Sequence, residues 1–428
     1  MNQFFHPRAA TPPAVGVALQ SNVALTTVLL FVVSFLPTTV FYLFGTPSHA
    51  TGVVIACLIA ALIYALTPTQ SVNSFTFDRW LLLVVLIVLL MAAHLLIASL
   101  FNELTLGRAV YSLMAFATLL TGAFFVFATL SKVTDASLET AAALARVAFV
   151  GVGLLGIVGI QPLGASELIS TEKSVFPFAE PSHFAIAFTP FLLHGCLLNR
   201  GLKQVSWILI GFALAYLLRN LSLVLGTTLA ALICLPFKRL VVIGVLLGLT
   251  LEVLDLEYFT SRLDFTFQSQ SISALVYRQG WELAADALNR TAGWGIGFQQ
   301  LGFAPFQSPS ADLLHRILYS DSNILDGGFL AAKLVAEFGL LGLLVLALYI
   351  YLAARLAWRL RKSVARGSPL PPKFLFSAAV ICGFSVELFV RAVGYFSGSA
   401  ILAVAAILML ANIGNQYRVG AARSQTTS

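Results

Sequence analysis

Three arginines in this sequence stand at places where guanidinium groups could bind phosphate. Arg219 separates two short apolar segments, Arg391 ends another, and Arg278 lies in a long polar stretch. A guanidinium group donates two parallel hydrogen bonds to phosphate oxygens, so converging arginines would suit a pyrophosphate. Ordinary alternatives exist as well. Arg219 can be a helix-end arginine whose head group reaches a polar surface, and Arg278 can pair with Glu282 four residues later.

The segment 178–185 holds a carboxylate and a histidine that could accept a proton. Glu180 precedes Pro181, which fits the first turn of a helix, and His183 follows within that turn. Partial burial would raise the pKa of the Glu180 carboxyl toward the range of a general base. We predict that Glu180 or His183 is the catalytic base. The alternative is that Glu180 caps the helix and complements its positive end.

Two pairs of opposite charge have the i,i+4 spacing that brings side chains together on a helix. Glu387 stands four residues before Arg391, and Lys333 stands four residues before Glu337. An ionisable residue next to an apolar segment is costly, so each needs a partner or a function. We expect an ion pair in each case, and a structural role and a functional role both remain open.

The composition defines the setting of these charges. Of 428 residues, 59% are hydrophobic and only 10% are charged, against roughly 25% in a typical soluble domain. A mean hydropathy of +0.92 excludes a soluble enzyme, a disordered protein and a coiled coil. The four cysteines lack zinc-ligand spacing and do not indicate a disulfide framework. Much of the positive charge falls in short loops between apolar segments, which argues against nucleic-acid binding.

Twelve apolar segments predict an all-α polytopic membrane protein with about twelve transmembrane helices. Lys and Arg concentrate in alternate loops, which predicts that both termini are cytoplasmic. We expect nine helices in residues 1–254, with a short periplasmic loop at 164–181. The predicted large periplasmic loop is 255–328, and 329–428 holds three more helices and a cytoplasmic tail. The segments are 23–45, 50–67, 79–100, 109–130, 144–163, 182–198, 204–218, 221–236, 239–254, 329–354, 374–391 and 396–412.

The large loop is expected to be ordered and partly helical. The stretch from Ala274 to Leu288 has the spacing of an amphipathic helix, and a turn rich in glycine and tryptophan follows at Gly293–Phe298. This turn is not a dinucleotide fingerprint, because its glycine spacing differs and no strand precedes it. Loops of this length within compact proteins are usually functional or disordered.

Three stretches give the chain a resemblance to the bacterial O-antigen polymerase and O-antigen ligase superfamily. At the level of motifs the likeness covers roughly residues 178–345, and the number of apolar segments is a further similarity. The stretches are Glu180–Ala185, Arg278–Trp281 with Gly293–Phe298, and Asn323–Leu325 continuing through Ala336–Gly342. Ligases of this superfamily typically carry a histidine just before the asparagine of the third stretch. Ser322 holds that place here, which favours a polymerase.

The resemblance implies a GT-C-like helical fold in the bacterial inner membrane, with the active site facing the periplasm. It implies transfer of a growing glycan from undecaprenyl pyrophosphate to the non-reducing end of a lipid-linked repeat unit. Both partners are lipid-linked oligosaccharides, a chain-length regulator protein is a further candidate, and no cofactor or metal is expected. The alternatives are a ligase that joins the glycan to lipid A-core and a flippase or transporter. A transporter would be expected to place polar residues deep in several spans.

Within this mechanism the three arginines would hold the pyrophosphate, and Glu180 or His183 would deprotonate the attacking hydroxyl. Good positioning and charge stabilisation would suffice, because pyrophosphate is already a good leaving group. The large loop would close over the site. The residues expected to contact the glycan are Trp281, Trp294, Phe298, Asp321 and Asn323.

Overall fold

A computed structural model describes residues 13–46, 48–67, 74–160, 174–250, 257–262, 264, 271–319 and 324–426. Within these ranges the chain forms fifteen helices and one isolated β-bridge, between Val175 and Phe178. The helices are α1 (Pro13–Phe44), α2 (Ala50–Leu66), α3 (Ser74–Ala98), α4 (Leu106–Lys132), α5 (Asp135–Val158), α6 (Pro181–Leu198), α7 (Leu202–Leu217), α8 (Leu221–Cys234), α9 (Phe237–Thr250), α10 (Glu257–Arg262), α11 (Ile272–Arg290), α12 (Pro309–Leu318), α13 (Leu330–Arg366), α14 (Pro372–Phe389) and α15 (Gly398–Thr426).

Seven helices in the described ranges are long and apolar enough to cross a membrane, so the chain is a multi-pass membrane protein. Four shorter apolar helices accompany them. The seven candidate spans are Asn22–Phe44, Phe77–Ala98, Leu106–Lys132, Asp135–Val158, Pro181–Leu198, Leu330–Arg366 and Pro372–Phe389. The shorter apolar helices are Ala50–Leu66, Leu202–Leu217, Leu221–Cys234 and Gly398–Gly414.

The prediction of an almost entirely helical chain is confirmed, since a helix occurs at each of the twelve apolar segments. The boundaries differ most in α15, which continues to Thr426, in α13, which continues to Arg366, and in α1, which begins ten residues before the predicted span. All three extensions are outside the apolar segments, where hydropathy gives no signal but helix propensity continues. The count of twelve crossings and the GT-C-like arrangement stay predictions.

The helical path is interrupted between α7 and α8, the two short segments that Arg219 separates. Arg219 adopts a left-handed backbone conformation with φ of 47°, which ends α7. The side-chain oxygen of Asn220 accepts a hydrogen bond from the Leu223 N–H at 3.1 Å and so caps α8. The side-chain amide of Asn220 donates to the Pro181 carbonyl, which ties this break to the start of α6.

Helices α6 and α14 pack closely with opposite directions, which brings the start of one to the end of the other. At their crossing, a Cβ on Gly383 would lie 2.8 Å from the Cα of Pro190. Only glycine therefore permits this backbone approach. Because Glu180 immediately precedes α6 and Arg391 follows α14, the same crossing brings these two charges to one end of the bundle.

The predicted helix of the large loop is present as α11 and extends two residues further at each end than expected. It packs against α12 and α13. The turn after it is hydrogen-bonded to α13 through its backbone. Gly297 N–H donates to the Glu337 carbonyl at 2.9 Å, and Leu340 N–H donates to the Gly293 carbonyl at 2.8 Å. The turn binds where α13 is interrupted, at Gly339 with φ of 59°.

The expected Lys333–Glu337 ion pair forms beneath this turn. The Lys333 ammonium lies 3.4 Å from the Glu337 carboxylate, and the two side chains are 1% and 0% exposed. The same carboxylate accepts the backbone N–H of Gln299 at 2.9 Å, and Lys333 donates to the Leu325 carbonyl. The pair therefore joins the middle of the loop, at Gln299, and its end, at Leu325, to α13. We call this contact between the turn 293–301 and residues 333–340 the loop dock.

Side chains from α3 and α4 hold the turn from the other side. A ring nitrogen of His94 lies 2.9 Å from the Trp294 carbonyl oxygen. The Arg108 guanidinium donates to the Gln299 backbone and side-chain oxygens at 2.9 and 3.0 Å. The turn is thus fixed between α13 and the α3–α4 pair.

Replacing Gly339 with Ala should destabilise the protein by at least about 2 kcal/mol, because alanine is strained at positive φ. Its Cβ would also overlap the Gly293 carbonyl oxygen. Unfolding by denaturing detergent measures the loss. Gly151→Ala is the matched control, since a Cβ there meets nothing within 4 Å. Equal stability of the two variants would contradict this view of the dock.

Removing one charge of the buried pair should cost more than removing both. Lys333→Met leaves the Glu337 carboxylate without its cation, at an expected cost of about 3–5 kcal/mol. The double variant Lys333→Met/Glu337→Gln should be more stable than Lys333→Met alone. The same detergent unfolding tests this, with Lys362→Met on the exposed end of α13 as control. Additive losses would show that the two charges do not interact.

Candidate functional site

An ion pair joins the start of α6 to the end of α14. One guanidinium nitrogen of Arg391 lies 3.0 Å and 3.1 Å from the two carboxylate oxygens of Glu180, across 211 residues of sequence. The Ser182 hydroxyl donates to the same carboxylate at 2.8 Å. The Glu180 and Arg391 side chains are 46% and 18% exposed, so a ligand can reach the pair mainly from the side of the carboxylate.

The expected pair between Glu387 and Arg391 was wrong. Helix α14 ends at Phe389, so Arg391 leaves the helical register that would face it toward Glu387. The buried Glu387 carboxylate instead accepts a hydrogen bond from the Ser399 hydroxyl. The end of α14 thus redirects the guanidinium to a carboxylate that is distant in sequence.

The pKa of Glu180 moves opposite to the expected direction. Burial raises it, but attraction to Arg391 and His183 and the hydrogen bond from Ser182 outweigh burial and lower the pKa to about 2. The prediction of a raised pKa for Glu180 was wrong, because it did not include the Arg391 guanidinium as a partner. The alternative role of Glu180 as a helix cap is not found either. Glu180 occupies the N-cap position of α6, but its side chain makes no capping hydrogen bond.

Two histidines and a second carboxylate lie around this pair. His183 is within electrostatic range of Glu180, Arg391 and Asp326, and its buried Nδ1 has no hydrogen-bond partner among the described residues. The ring of His49 meets that of His183 edge to face, with centroids 5.8 Å apart. Burial and repulsion from His183 lower the pKa of His49 to about 3, so His49 is neutral. We call Glu180, His183, Arg391, His49 and Asp326 the charge cluster.

Asp326 and His49 were missed by the sequence analysis. Asp326 lies close to the segment after α14, since a Cβ on Gly394 would be 3.1 Å from its carboxylate oxygen. It directly precedes Gly327 and Gly328, which both have positive φ, so a tight turn aims it. The Asp-Gly-Gly sequence signals that turn, but nothing in the sequence signals which charges it faces.

The other two predicted arginines lie differently. Arg219 is exposed, and the neighbouring Asn220 bonds to Pro181, so its backbone is at the same end of α6 as Glu180. Arg278 forms the i,i+4 ion pair with Glu282, at 3.5 Å. That alternative is confirmed, and the pair belongs to the loop.

The Glu282 carboxylate also accepts hydrogen bonds from Ser308 and from the backbone and side chain of Ser310, near the start of α12. Burial raises its pKa, but the two serines and Arg278 outweigh burial and lower it. The Arg278–Glu282 pair therefore holds α12 on α11. Arg278 therefore has a structural role within the loop.

Of the predicted glycan contacts, two tryptophans are accessible. Trp281 and Trp294 are 40% and 48% exposed. Phe298 is 1% exposed and packs against the ring of Phe338, so the prediction that it offers a face to a sugar is wrong. It follows a glycine turn that points it into the core. Asp321 and Asn323 lie outside the described residues.

No family model matches this chain, and no match is found among curated proteins or solved structures. The function must therefore be inferred from the chemistry of the charge cluster and its surroundings.

Replacing Arg391 with Gln should raise the pKa of Glu180 from about 2 toward or above its ordinary value of 4.5, because burial then acts without the guanidinium. The carboxylate band of Glu180 in infrared difference spectra, identified by its loss in Glu180→Gln, reports the titration. Arg219→Gln is the control and should leave the pKa low. An unchanged pKa in Arg391→Gln would show that another group holds the carboxylate ionised.

Proposed function

We propose that this protein is an O-antigen polymerase of the bacterial inner membrane. It transfers a growing glycan from undecaprenyl pyrophosphate to the non-reducing end of a lipid-linked repeat unit. The observation that carries the proposal is the accessible Glu180–Arg391 pair, with His183 beside it, at the ends of membrane helices. An anion-binding group and a proton acceptor thus lie within contact of each other, as glycosyl transfer from a pyrophosphate requires.

Arg391 is the group expected to bind the pyrophosphate. In the protein without ligand, the Glu180 carboxylate occupies the position of the phosphate oxygens. The phosphate oxygens compete with the carboxylate for the guanidinium, which can fork onto them with parallel hydrogen bonds. Arg219, exposed at the same end of α6, adds a second positive charge. Each charge stabilises the negative charge that develops on the leaving pyrophosphate.

Release of Arg391 to the pyrophosphate would change the basicity of Glu180. Without the guanidinium, burial dominates and the carboxylate pKa rises, so it becomes a better proton acceptor only when donor is bound. The acceptor hydroxyl oxygen then forms a bond to the anomeric carbon of the donor. The bond from that carbon to the pyrophosphate oxygen breaks, undecaprenyl pyrophosphate leaves, and the hydroxyl proton moves to Glu180. His183 is the alternative acceptor.

The large loop supplies surfaces for the glycan. Trp281 and Trp294 present partly exposed rings, and aromatic faces combine apolar area with a polar edge, which suits sugars. His94 of α3 holds the Trp294 carbonyl oxygen, so the backbone that carries this ring is fixed before ligand arrives. Twelve crossings, cytoplasmic termini and a periplasmic site complete the proposal.

The lipopolysaccharide profile of a strain carrying variants in place of the native gene tests this function. Glu180→Gln and Arg391→Gln should leave lipopolysaccharide with a single repeat unit, because polymerisation stops while ligation continues. Glu103→Gln, an exposed glutamate on the same predicted face, should give normal long chains. Immunoblots confirm that all three variants accumulate.

Two results would contradict the proposal. A normal ladder from Glu180→Gln would remove its role as base. Complete absence of attached repeat units in either site variant would identify a ligase, because a ligase defect leaves no glycan on lipid A-core.

A further inference from the structure

A cleft lies at the end of the bundle opposite to Glu180. Helix α6 starts beside Glu180 and its last residues line the cleft, so about 27 Å of helix separates the two places. The cleft has a volume of about 740 Å³. The C-terminal ends of α6, α8 and α13 and the N-terminal ends of α7, α9 and α14 surround it.

We propose that this cleft binds a phosphate group, carried by an anionic lipid headgroup or free in solution. Three arginines line it, Arg200, Arg239 and Arg361, against one carboxylate, Glu139. The excess of positive charge in a recess selects an anion, and guanidinium groups match phosphate oxygens in particular. The proposal is independent of the function assigned to the charge cluster.

Two of the three arginines are hydrogen-bonded to backbone carbonyls around the cleft. Arg200 donates from one nitrogen to the Gly367 carbonyl at 3.0 Å, and Arg361 donates from one nitrogen to the Leu232 carbonyl. Each guanidinium has five N–H donors, so both keep donors for a ligand. The exposed Arg239 side chain makes no hydrogen bond or ion pair to any residue that the structure describes. It is thus free to close on a bound anion.

Helix ends of both signs meet at the cleft. Helices α7, α9 and α14 begin there, and their first turns present backbone N–H groups without intrahelical partners and the positive end of the helix dipole. Helices α6, α8 and α13 end there and present the negative end. The helix dipoles therefore oppose one another, and the three guanidinium groups supply the excess of positive charge.

The apolar walls indicate that the phosphate belongs to a lipid. Leu197, Ile233 and Leu375 also line the cleft. At its margin, the side chains of Leu232 and Phe237 are exposed and would face acyl chains in a membrane. A charged rim over an apolar wall fits an amphiphile, and the volume is within the usual range for small-molecule sites, about 300–1,000 Å³.

Native mass spectrometry of the full-length protein in detergent tests the site with three probes. They are phosphatidylglycerol, diacylglycerol with the same acyl chains, and inorganic phosphate. Arg239→Gln should weaken phosphatidylglycerol binding about tenfold, the loss expected for one charge-assisted interaction. Lys238→Gln is the matched control, since it removes the adjacent exposed charge that does not line the cleft. Because the Arg239 side chain makes no hydrogen bond or ion pair to a described residue, both variants should unfold at the wild-type temperature.

Binding of phosphatidylglycerol that Arg239→Gln weakens and Lys238→Gln does not would support a lipid phosphate as the ligand. The same pattern with inorganic phosphate alone would support a site for free phosphate. Equal affinity for phosphatidylglycerol in Arg239→Gln and Lys238→Gln would overturn the proposal. Equal binding of diacylglycerol and phosphatidylglycerol would also overturn it, because phosphate would then contribute nothing.

Discussion

The buried Lys333–Glu337 pair is the constraint on which the arrangement of the large loop and the charge cluster depends. Taking two charges from water costs several kcal/mol for each ion, and only good geometry with further hydrogen bonds repays it. Glu337 meets that condition by accepting backbone N–H groups of the turn, and Lys333 by donating to the chain that enters α13. The pair therefore stabilises one specific docking of the loop.

The dock and the charge cluster share a segment of chain. The Lys333 ammonium lies 5.5 Å from the ring centre of Tyr395, four residues after Arg391. The dock thus packs against the non-helical stretch that carries the Arg391 guanidinium away from α14. On the other side, the Gly383–Pro190 contact fixes how far α14 reaches along α6. Together these two contacts determine where Arg391 meets Glu180.

Local patterns predicted much of the fold but little of the charge cluster. Hydropathy located the helices, and i,i+4 spacing located the Lys333–Glu337 and Arg278–Glu282 pairs, because both signals lie within one element. The same spacing failed for Glu387 and Arg391, since α14 ends between them. The Glu180–Arg391 pair joins residues 211 apart, so it depends on tertiary packing that no short pattern records. The burial of Phe298 depends on the dock in the same way.

In the proposed mechanism, the lowered pKa of Glu180 means that the donor must bind before the carboxylate can act as a base. Arg391 keeps the carboxylate ionised and weakly basic until another anion takes the guanidinium, so donor binding and base activation become one event. This coupling would limit proton transfer in the absence of substrate.

The most direct test is polymerisation by the purified protein in lipid vesicles, supplied only with undecaprenyl pyrophosphate-linked repeat units. The account predicts glycans of two or more repeat units together with released undecaprenyl pyrophosphate, and neither product with Glu180→Gln. Repeat units that move across the vesicle membrane without joining would contradict it and identify a transporter.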